Sequence, residues 1–145
     1  MIDLQLQRLS FASPAYALSI SLRHSILRAP LGLNFTLAEL QLEHEQIHLG
    51  AWHIDELVGC LVLAPIDQYA VRMRQVAVRE DFQQKGVGTA LVRYSEEVAR
   101  EHDVDTLTLH ARKSAVPFYQ KLGYQEDAEE FMEVGIPHIR MWLSL

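Results

Sequence analysis

The chain is organised around one stretch, Arg79-Glu-Asp-Phe-Gln-Gln-Lys-Gly-Val-Gly-Thr-Ala-Leu-Val92. Before it lies Met73-Arg-Gln-Val-Ala-Val78, which is rich in residues that favour strands, and after it a helical pattern runs to about His102. Gly86 and Gly88 stand where the strand gives way to the helix. A glycine-containing loop at the start of a helix presents backbone N–H groups that bind anions, above all phosphates. The stretch therefore predicts a phosphate-binding strand–loop–helix unit, although a glycine pattern of this length also occurs in purely structural turns.

Lys85 strengthens the phosphate interpretation, because the helix dipole disfavours a cation at a helix start unless an anion lies beside it. Two other phosphate motifs do not fit the loop. The Walker pattern needs a longer glycine spacing and a Lys-Ser/Thr pair. The dinucleotide fingerprint needs a third glycine at the position of Leu91.

Composition predicts one globular domain over residues 1–145, with 49% apolar and 22% charged residues. The net charge of -6 argues against a nucleic-acid partner, but it leaves room for a local basic pocket. The single cysteine, Cys60, stands in an apolar run and is predicted to be a buried side chain and not a nucleophile. The sequence lacks a signal-peptide pattern and an apolar run of about 20 residues, so we expect a cytoplasmic protein without a membrane partner.

The order of the predicted elements indicates an α/β fold with a mixed sheet covered by helices. Helices are predicted from Ser13 to Ala29, after a Thr36–Glu39 capping box, after the glycine loop, and after Ser114 as an N-cap. Strands are predicted at 2–9, 46–53, 56–63, 69–78, 106–110, 124–134 and 138–143, with a turn at 54–55 and a link at 135–137. The helix after the loop is expected to bury Val87, Leu91 and Val98 and to expose Arg93, Glu96, Glu97 and Arg100.

Two motifs resemble the GNAT superfamily of N-acetyltransferases. Gln83-Gln-Lys-Gly-Val-Gly88 is similar to its acyl-CoA pyrophosphate loop, Gln/Arg-x-x-Gly-x-Gly/Ala. Ala115-Val-Pro-Phe-Tyr-Gln-Lys-Leu-Gly-Tyr124 resembles its second motif, Ala-x-x-Phe-Tyr-x-x-x-Gly-Phe. The two motifs stand in the family's order and separation, and the match covers about Met73 to Tyr124. The tail Gly135-Ile-Pro-His-Ile-Arg-Met141 is similar to the ElaA-like branch of the superfamily.

The resemblance implies a GNAT-like fold, with a mixed, mostly antiparallel central sheet flanked by helices and a splay between the strands near 73–78 and 106–110. It also implies acetyl-CoA as co-substrate and no metal. Loop N–H groups would hold the pyrophosphate, and the pantetheine arm would bond to the main chain of the splayed strand. The implied acetyl-CoA-binding residues are Val76, Ala77, Val78, Gln83, Gln84, Lys85, Gly86, Val87, Gly88, Thr89, Ser114 and Phe118.

The implied reaction is direct attack of a neutral amine, on a small molecule or a protein, on acetyl-CoA in a ternary complex. By motif position Tyr119 is the acid for the departing thiolate, and the alternative is a buried aromatic capped by a hydrogen bond. Many relatives carry a glutamate on the strand before the loop, whereas residues 71–75 contain no carboxylate. His110 and His138 are the candidate bases, each with a structural alternative, and a water chain is a third route.

The acceptor is left open by the sequence. Arg72 and Arg74 are candidates to hold a carboxylate of the acceptor, or they are exposed sheet residues. The acidic run Glu126 to Glu130 could attract an amine or form a solvated edge. The missing strand carboxylate keeps open a catalytically silent acyl-CoA-binding or sensing domain, and an NTP-binding domain is a further alternative. A homodimer is one arrangement that the resemblance allows.

Overall fold

The computed structural model describes residues 2–145, in which seven strands form one sheet of order β1-β2-β3-β4-β5-β7-β6. Neighbouring strands are antiparallel throughout, apart from the parallel pair β4 and β5. The predicted mixed, mostly antiparallel sheet and its order along the chain are confirmed. The strands are β1 (Gln5–Leu9), β2 (Ile47–His53), β3 (Glu56–Pro65), β4 (Ala70–Val78), β5 (Thr106–Arg112), β6 (Gln125–Glu133) and β7 (Ile136–Ser144).

Four α-helices accompany the sheet in the described chain: α1 (Pro14–Arg23), α2 (Leu37–Gln41), α3 (Val87–Glu101) and α4 (Val116–Lys121). The Ser13 cap of α1 and the Thr36–Glu39 capping box of α2 are both formed. The prediction that the first α-helix continues to Ala29 is wrong, because α1 ends at Arg23. A π-helical turn over His24–Arg28 and a 3-10 turn over Ala29–Leu31 follow α1, since Pro30 cannot continue an α-helical hydrogen-bond ladder.

The predicted cap of α4 by Ser114 is also wrong. Ser114 lies within a 3-10 turn over Lys113–Ala115, and the N-cap residue is Ala115, which has no side-chain cap. Pro117 occupies the first turn of α4, as predicted, where its missing N–H costs no hydrogen bond.

One face of the sheet packs against α3 and α4. Helix α3 buries Val87, Leu91 and Val98 as predicted, but it also buries Glu96, which is 3% exposed. Our assignment of Glu96 to the solvated face is therefore wrong. The hydroxyl of Tyr124 donates to Glu96 Oε2 at 2.9 Å, and the Arg93 guanidinium donates to Glu96 Oε1 at 3.0 Å, so the buried carboxylate is paired on both sides.

The other face packs against α1, where Leu22 contacts Cys60 and Ala77. Cys60 is 1% exposed, and burial raises the pKa of its thiol to about 12, so the thiol stays protonated at neutral pH. The prediction of a buried, unreactive cysteine agrees with this environment.

A buried ion pair lies between α1 and the turn after α2. Arg23 and Glu43 are 1% and 2% exposed, and Arg23 donates to both carboxylate oxygens at 3.0 and 2.6 Å. The hydroxyl of Tyr16 donates to Glu43 Oε1 at 2.8 Å, and Arg74 on β4 donates to Glu43 Oε2 at 3.3 Å. This network reaches from the helical layer to the middle of the sheet.

The parallel pairing of β4 with β5 stops early, which creates the predicted splay. The paired positions run from Ala70 with Thr106 to Met73 with Leu109. Immediately afterwards β4 bulges against β3. Arg74 pairs with Val62 and Ala77 pairs with Cys60, so β4 advances three residues where β3 advances two. Gln75, at the bulge, has a φ of 57°. The extra residue reverses the alternation of side chains and bends β4 away from β5.

The β6–β7 hairpin turns at Val134 and Gly135, with φ values of 47° and 76°, and not over residues 135–137 as predicted. Two successive positive φ values are typical of a two-residue hairpin turn that matches strand twist. Pro137 consequently lies inside β7. This register places Phe131 opposite His138 and Glu133 opposite Ile136.

Candidate active site

A cavity of about 420 Å³ opens where β4 and β5 separate. Its walls come from β4, β5, the π-helical turn after α1, α4 with the turn before it, and the β6–β7 hairpin. The cavity brings together the three side chains predicted to be catalytic, Tyr119, His110 and His138. These residues come from three different elements, and the splay is what gives them a common space.

Tyr119 lies on α4 and is 6% exposed. Its ring packs edge-to-face against Phe118 at 4.9 Å and against Tyr124 at 5.7 Å between ring centroids. Burial raises the pKa of the Tyr119 hydroxyl above its usual value, so the hydroxyl keeps its proton at neutral pH. A buried phenol that lines a cavity is suited to donate a proton there.

Two histidines flank one carboxylate among the residues that line the cavity. His110 Nδ1 lies 3.0 Å from Glu133 Oε1, and His138 Nε2 lies 3.6 Å from Glu133 Oε2. His138 Nδ1 donates to the carbonyl oxygen of Ile136 at 2.8 Å. If His110 Nδ1 donates to Glu133, its Nε2 is left to accept a proton. His110 is partly exposed, whereas His138 is buried, with 4% of its surface exposed.

Glu133 is the residue that our sequence reasoning missed. It supplies a carboxylate to the cavity from β6, although residues 71–75 of β4 contain none. The hairpin register decides its position: Glu133 follows Phe131 by two residues, and Phe131 lies opposite His138. Residues two apart share a sheet face, so Glu133 and His138 are diagonal neighbours. A two-residue turn assigned to Val134-Gly135 would have predicted this.

Arg72 and Arg74 lie on one face of β4 and line the cavity, together with Arg28 and Arg112. Arg74 is 25% exposed and is held by Glu43 and by Gln46 Oε1, to which it donates at 2.8 Å. Arg112 donates to the carbonyl oxygen of Leu27 at 3.2 Å, which ties β5 to the turn after α1. All four arginines therefore line the cavity, and specific contacts hold Arg74 and Arg112 in place. They are not exposed residues of an open sheet face.

The glycine loop lies outside this cavity, at the start of α3. Gln83 Nε2 donates to the carbonyl oxygen of Val78 at 3.0 Å and ties the loop to the end of β4. Gln84 and Gly86 adopt left-handed conformations, with φ of 62° and 88°. The N–H of Ala90 donates to Gly86 O at 3.0 Å. The N–H groups of the first helical turn, before Ala90, have no acceptor within the helix and can serve an anion.

The remaining predicted acetyl-CoA-binding residues divide into two groups. Val76 lines the cavity, and Ala77 and Val78 follow it toward the loop. Phe118 approaches the loop from α4, since a Cβ atom on Gly88 would lie 3.3 Å from Phe118 Cζ. The two sequence motifs therefore meet at Gly88. The remaining side chains, Lys85, Thr89 and Ser114, are exposed, and Val87 is buried beneath the loop.

Residues 2–145 contain no group of three His, Cys, Asp or Glu side chains placed to hold a metal ion. Within the same residues, no helix is both long enough and apolar enough to cross a membrane.

The chain is similar to several known proteins. The family profile described as "Acetyltransferase (GNAT) domain" matches residues 35–145. YyaT of Bacillus subtilis is 33% identical over 100 residues, which is 69% of this chain and about two thirds, 67%, of YyaT. The crystal structure of Escherichia coli ElaA superimposes with a TM-score of 0.79 at 26% identity, covering 98% of this chain and 99% of ElaA.

A Bacillus subtilis acetyltransferase, whose crystal structure is a complex with CoA, superimposes with a TM-score of 0.74 at 25% identity over 99% of both chains. The resemblance inferred from residues 83–88 and 115–124 is thereby confirmed at the level of the family. The likeness to ElaA agrees with the similarity noted for the tail. This chain belongs to the GNAT acetyltransferase family.

Proposed function

We propose that the chain is an N-acetyltransferase that transfers the acetyl group of acetyl-CoA to a primary amine. One observation carries the proposal: a buried tyrosine and a histidine–carboxylate pair line the same cavity at the splay of β4 and β5. Membership of the GNAT family and the CoA complex of a relative support acetyl-CoA as the donor. In the reaction the amine nitrogen bonds to the acetyl carbon, the C–S bond breaks, and one proton leaves the amine while another reaches the thiolate.

The donor site in this proposal joins the loop to the cavity. The N–H groups from Gln84 to Thr89 bind the pyrophosphate at the start of α3. The main chain of Val76, Ala77 and Val78 is available to the pantetheine arm because β4 has left β5 beyond Met73. Phe118 packs over Gly88 between the two regions and restricts the path of the arm.

Tyr119 is the acid in this proposal. Its raised pKa keeps the hydroxyl protonated, which is the form needed to protonate a thiolate. His110 is the base: Glu133 orients its ring through Nδ1 and stabilises the imidazolium that forms when Nε2 takes the proton of the amine. His138 is buried behind Glu133 and acts as a positioning residue.

The loop assignment is tested by a matched pair of glycine substitutions. Gly86 and Gly32 both have left-handed φ values, of 88° and 69°, and a Cβ atom on either would meet nothing within 4 Å. Each alanine variant should lose about 1–2 kcal/mol of stability from the same backbone strain. Only Gly86→Ala should weaken acetyl-CoA binding in a calorimetric titration. Equal acetyl-CoA affinity in the two variants would argue against a phosphate site at this loop.

The acid assignment is tested by a pair of tyrosine substitutions. Tyr119→Phe should lower kcat about 100-fold or more while acetyl-CoA still binds, because general acid catalysis contributes roughly that much. Tyr124→Phe is the control, since Tyr124 is also buried but donates to Glu96 and does not line the cavity. If Tyr119→Phe turns over at the wild-type rate, Tyr119 is a structural aromatic. Acetyl-CoA binding without transfer to any amine would indicate a silent binding domain.

A further inference from the structure

We propose that the amine acceptor is a small molecule with a carboxylate, as in a free α-amino acid, and that Arg72 and Arg112 bind this carboxylate. The inference rests on the proposed N-acetyltransferase function and specifies its acceptor. It starts from the charges that line the cavity. Four arginines, Arg28, Arg72, Arg74 and Arg112, face a space of about 420 Å³ in a chain whose net charge is -6.

Two of these arginines have a carboxylate partner within the protein. Arg28 pairs with Glu39 at 3.3 Å and lies over the ring of Phe35 at 4.4 Å. Arg74 pairs with Glu43 at 3.3 Å, as part of the buried network under α1. Both guanidinium groups are therefore held by carboxylates, Arg28 by Glu39 of α2 and Arg74 by Glu43 of the turn that follows it, which Arg74 shares with Arg23.

The other two arginines have no carboxylate partner among residues 2–145. Arg72 makes no side-chain hydrogen bond or ion pair with the described residues, and the only such bond of Arg112 there goes to the neutral carbonyl of Leu27. Guanidinium groups at a half-enclosed wall are stabilised by a planar anion that accepts two parallel N–H bonds. A carboxylate on the acceptor fits this requirement.

The pyrophosphate of CoA does not account for these two arginines. In the proposed donor site the pyrophosphate lies at residues 84–89, and none of these described residues lines the cavity. Arg72 instead lies on β4 at the level of Thr108, before the splay, and Arg112 lies at the end of β5. They line the cavity from the two strands that separate at the splay.

The opposite charge of an amino acid also has a place in the cavity. Glu133 lines the same space, next to His110, and its carboxylate can attract an ammonium group before the base removes a proton. Among the described residues, the cavity therefore presents two arginines without a carboxylate partner and the carboxylate of Glu133. This arrangement is the complement of a zwitterion with its carboxylate between the arginines and its amine near His110. A main-chain amine of a protein lacks the carboxylate that this arrangement would bind.

The test compares free amino acids with their carboxamides, which keep the amine and side chain but lose the anion. Phenylalanine, leucine, lysine and glutamate, each with its α-carboxamide, are titrated calorimetrically into protein saturated with CoA. At least one acid should bind about tenfold or more tightly than its amide. Arg72→Ala and Arg112→Gln should each remove that preference. Arg140→Ala, which breaks an exposed pair with Asp127 outside the cavity, should keep it.

Two outcomes would overturn the inference: no acid binds better than its amide, or the preference persists in either Arg72→Ala or Arg112→Gln. Thermal unfolding of each variant separates loss of recognition from loss of folding, and Arg112→Gln keeps an amide donor for Leu27. Acetyl transfer is then measured on the same pairs. Binding of the acids without transfer contradicts the acetyltransferase function alone, whereas transfer to amides in preference to acids contradicts the acceptor class alone.

Discussion

The substitution Glu43→Gln removes the charge that compensates Arg23 in the buried network between α1 and β4. Arg23 is 1% exposed and donates two hydrogen bonds to Glu43, so the variant leaves a guanidinium with a neutral partner in a dry environment. Breaking a buried pair from one side costs roughly 3–5 kcal/mol. Because small domains are stable by about 5–15 kcal/mol, we expect a large drop in the urea midpoint.

Glu45→Gln is the matched control for this measurement. Glu45 lies two residues away in the same 3-10 turn, but its side chain is 83% exposed. Exposed substitutions of this kind change stability by about 0.5 kcal/mol or less. Equal unfolding midpoints for Glu43→Gln and Glu45→Gln would refute the interpretation of Glu43 as a buried counterion.

The same network makes a pH prediction. Burial pushes the pKa of Glu43 up, but the hydrogen bonds and charge of Arg23, with contributions from Tyr16 and Arg74, outweigh burial and lower the pKa below its ordinary value of 4.5. A carboxyl with a lower pKa in the folded state stabilises the fold above its unfolded pKa, and this contribution is lost as pH falls through the folded pKa. The stability difference between wild type and Glu43→Gln should therefore be constant near neutral pH and shrink below about pH 4.5.

Three further outcomes are expected. Gly59→Ala should destabilise the protein by about 1–3 kcal/mol in urea unfolding, because its Cβ atom would lie 2.8 Å from Leu91 Cδ1 in the packed core; an unchanged midpoint would show that the core yields freely. Cys60 should resist alkylation at pH 8 until the protein unfolds, since burial raises the pKa of its thiol to about 12, and rapid labelling of folded protein would contradict its burial. His110→Ala should lower kcat about 100-fold or more without weakening acetyl-CoA binding, and a wild-type kcat would remove His110 as the base.

The parts of the fold that the sequence predicted are those set by local chemistry. The Thr36–Glu39 capping box and the strand–loop–helix unit around Gly86 depend on residues within a few positions of one another. The splay was expected only through the family resemblance. Its physical origin is the bulge at Gln75, which no local sequence pattern predicts. Local signals thus identified the elements, while the pairing of strands determined how they diverge.

The parts of the site that were missed depend on contacts between distant residues. Glu133 reaches the cavity because the hairpin turns at Val134, which has a positive φ, and this turn fixes the register of β6 and β7. A β-branched residue such as valine rarely adopts a positive φ, so the sequence did not indicate a turn there. Glu96 is buried because Tyr124, 28 residues away, donates to it. The cytoplasmic location and the homodimer stay predictions.

The most direct test of the proposed function measures acetyl transfer from acetyl-CoA to the panel of amino acids and carboxamides. The release of free CoA thiol and the mass of the amine product are the two quantities measured. We predict CoA release in equal amount to an N-acetylated amino acid, with the rates of both falling together by about 100-fold or more in Tyr119→Phe and in His110→Ala. Tight binding of acetyl-CoA with no acetylated product from any amine on the panel would contradict the assignment of this cavity as an N-acetyltransferase active site.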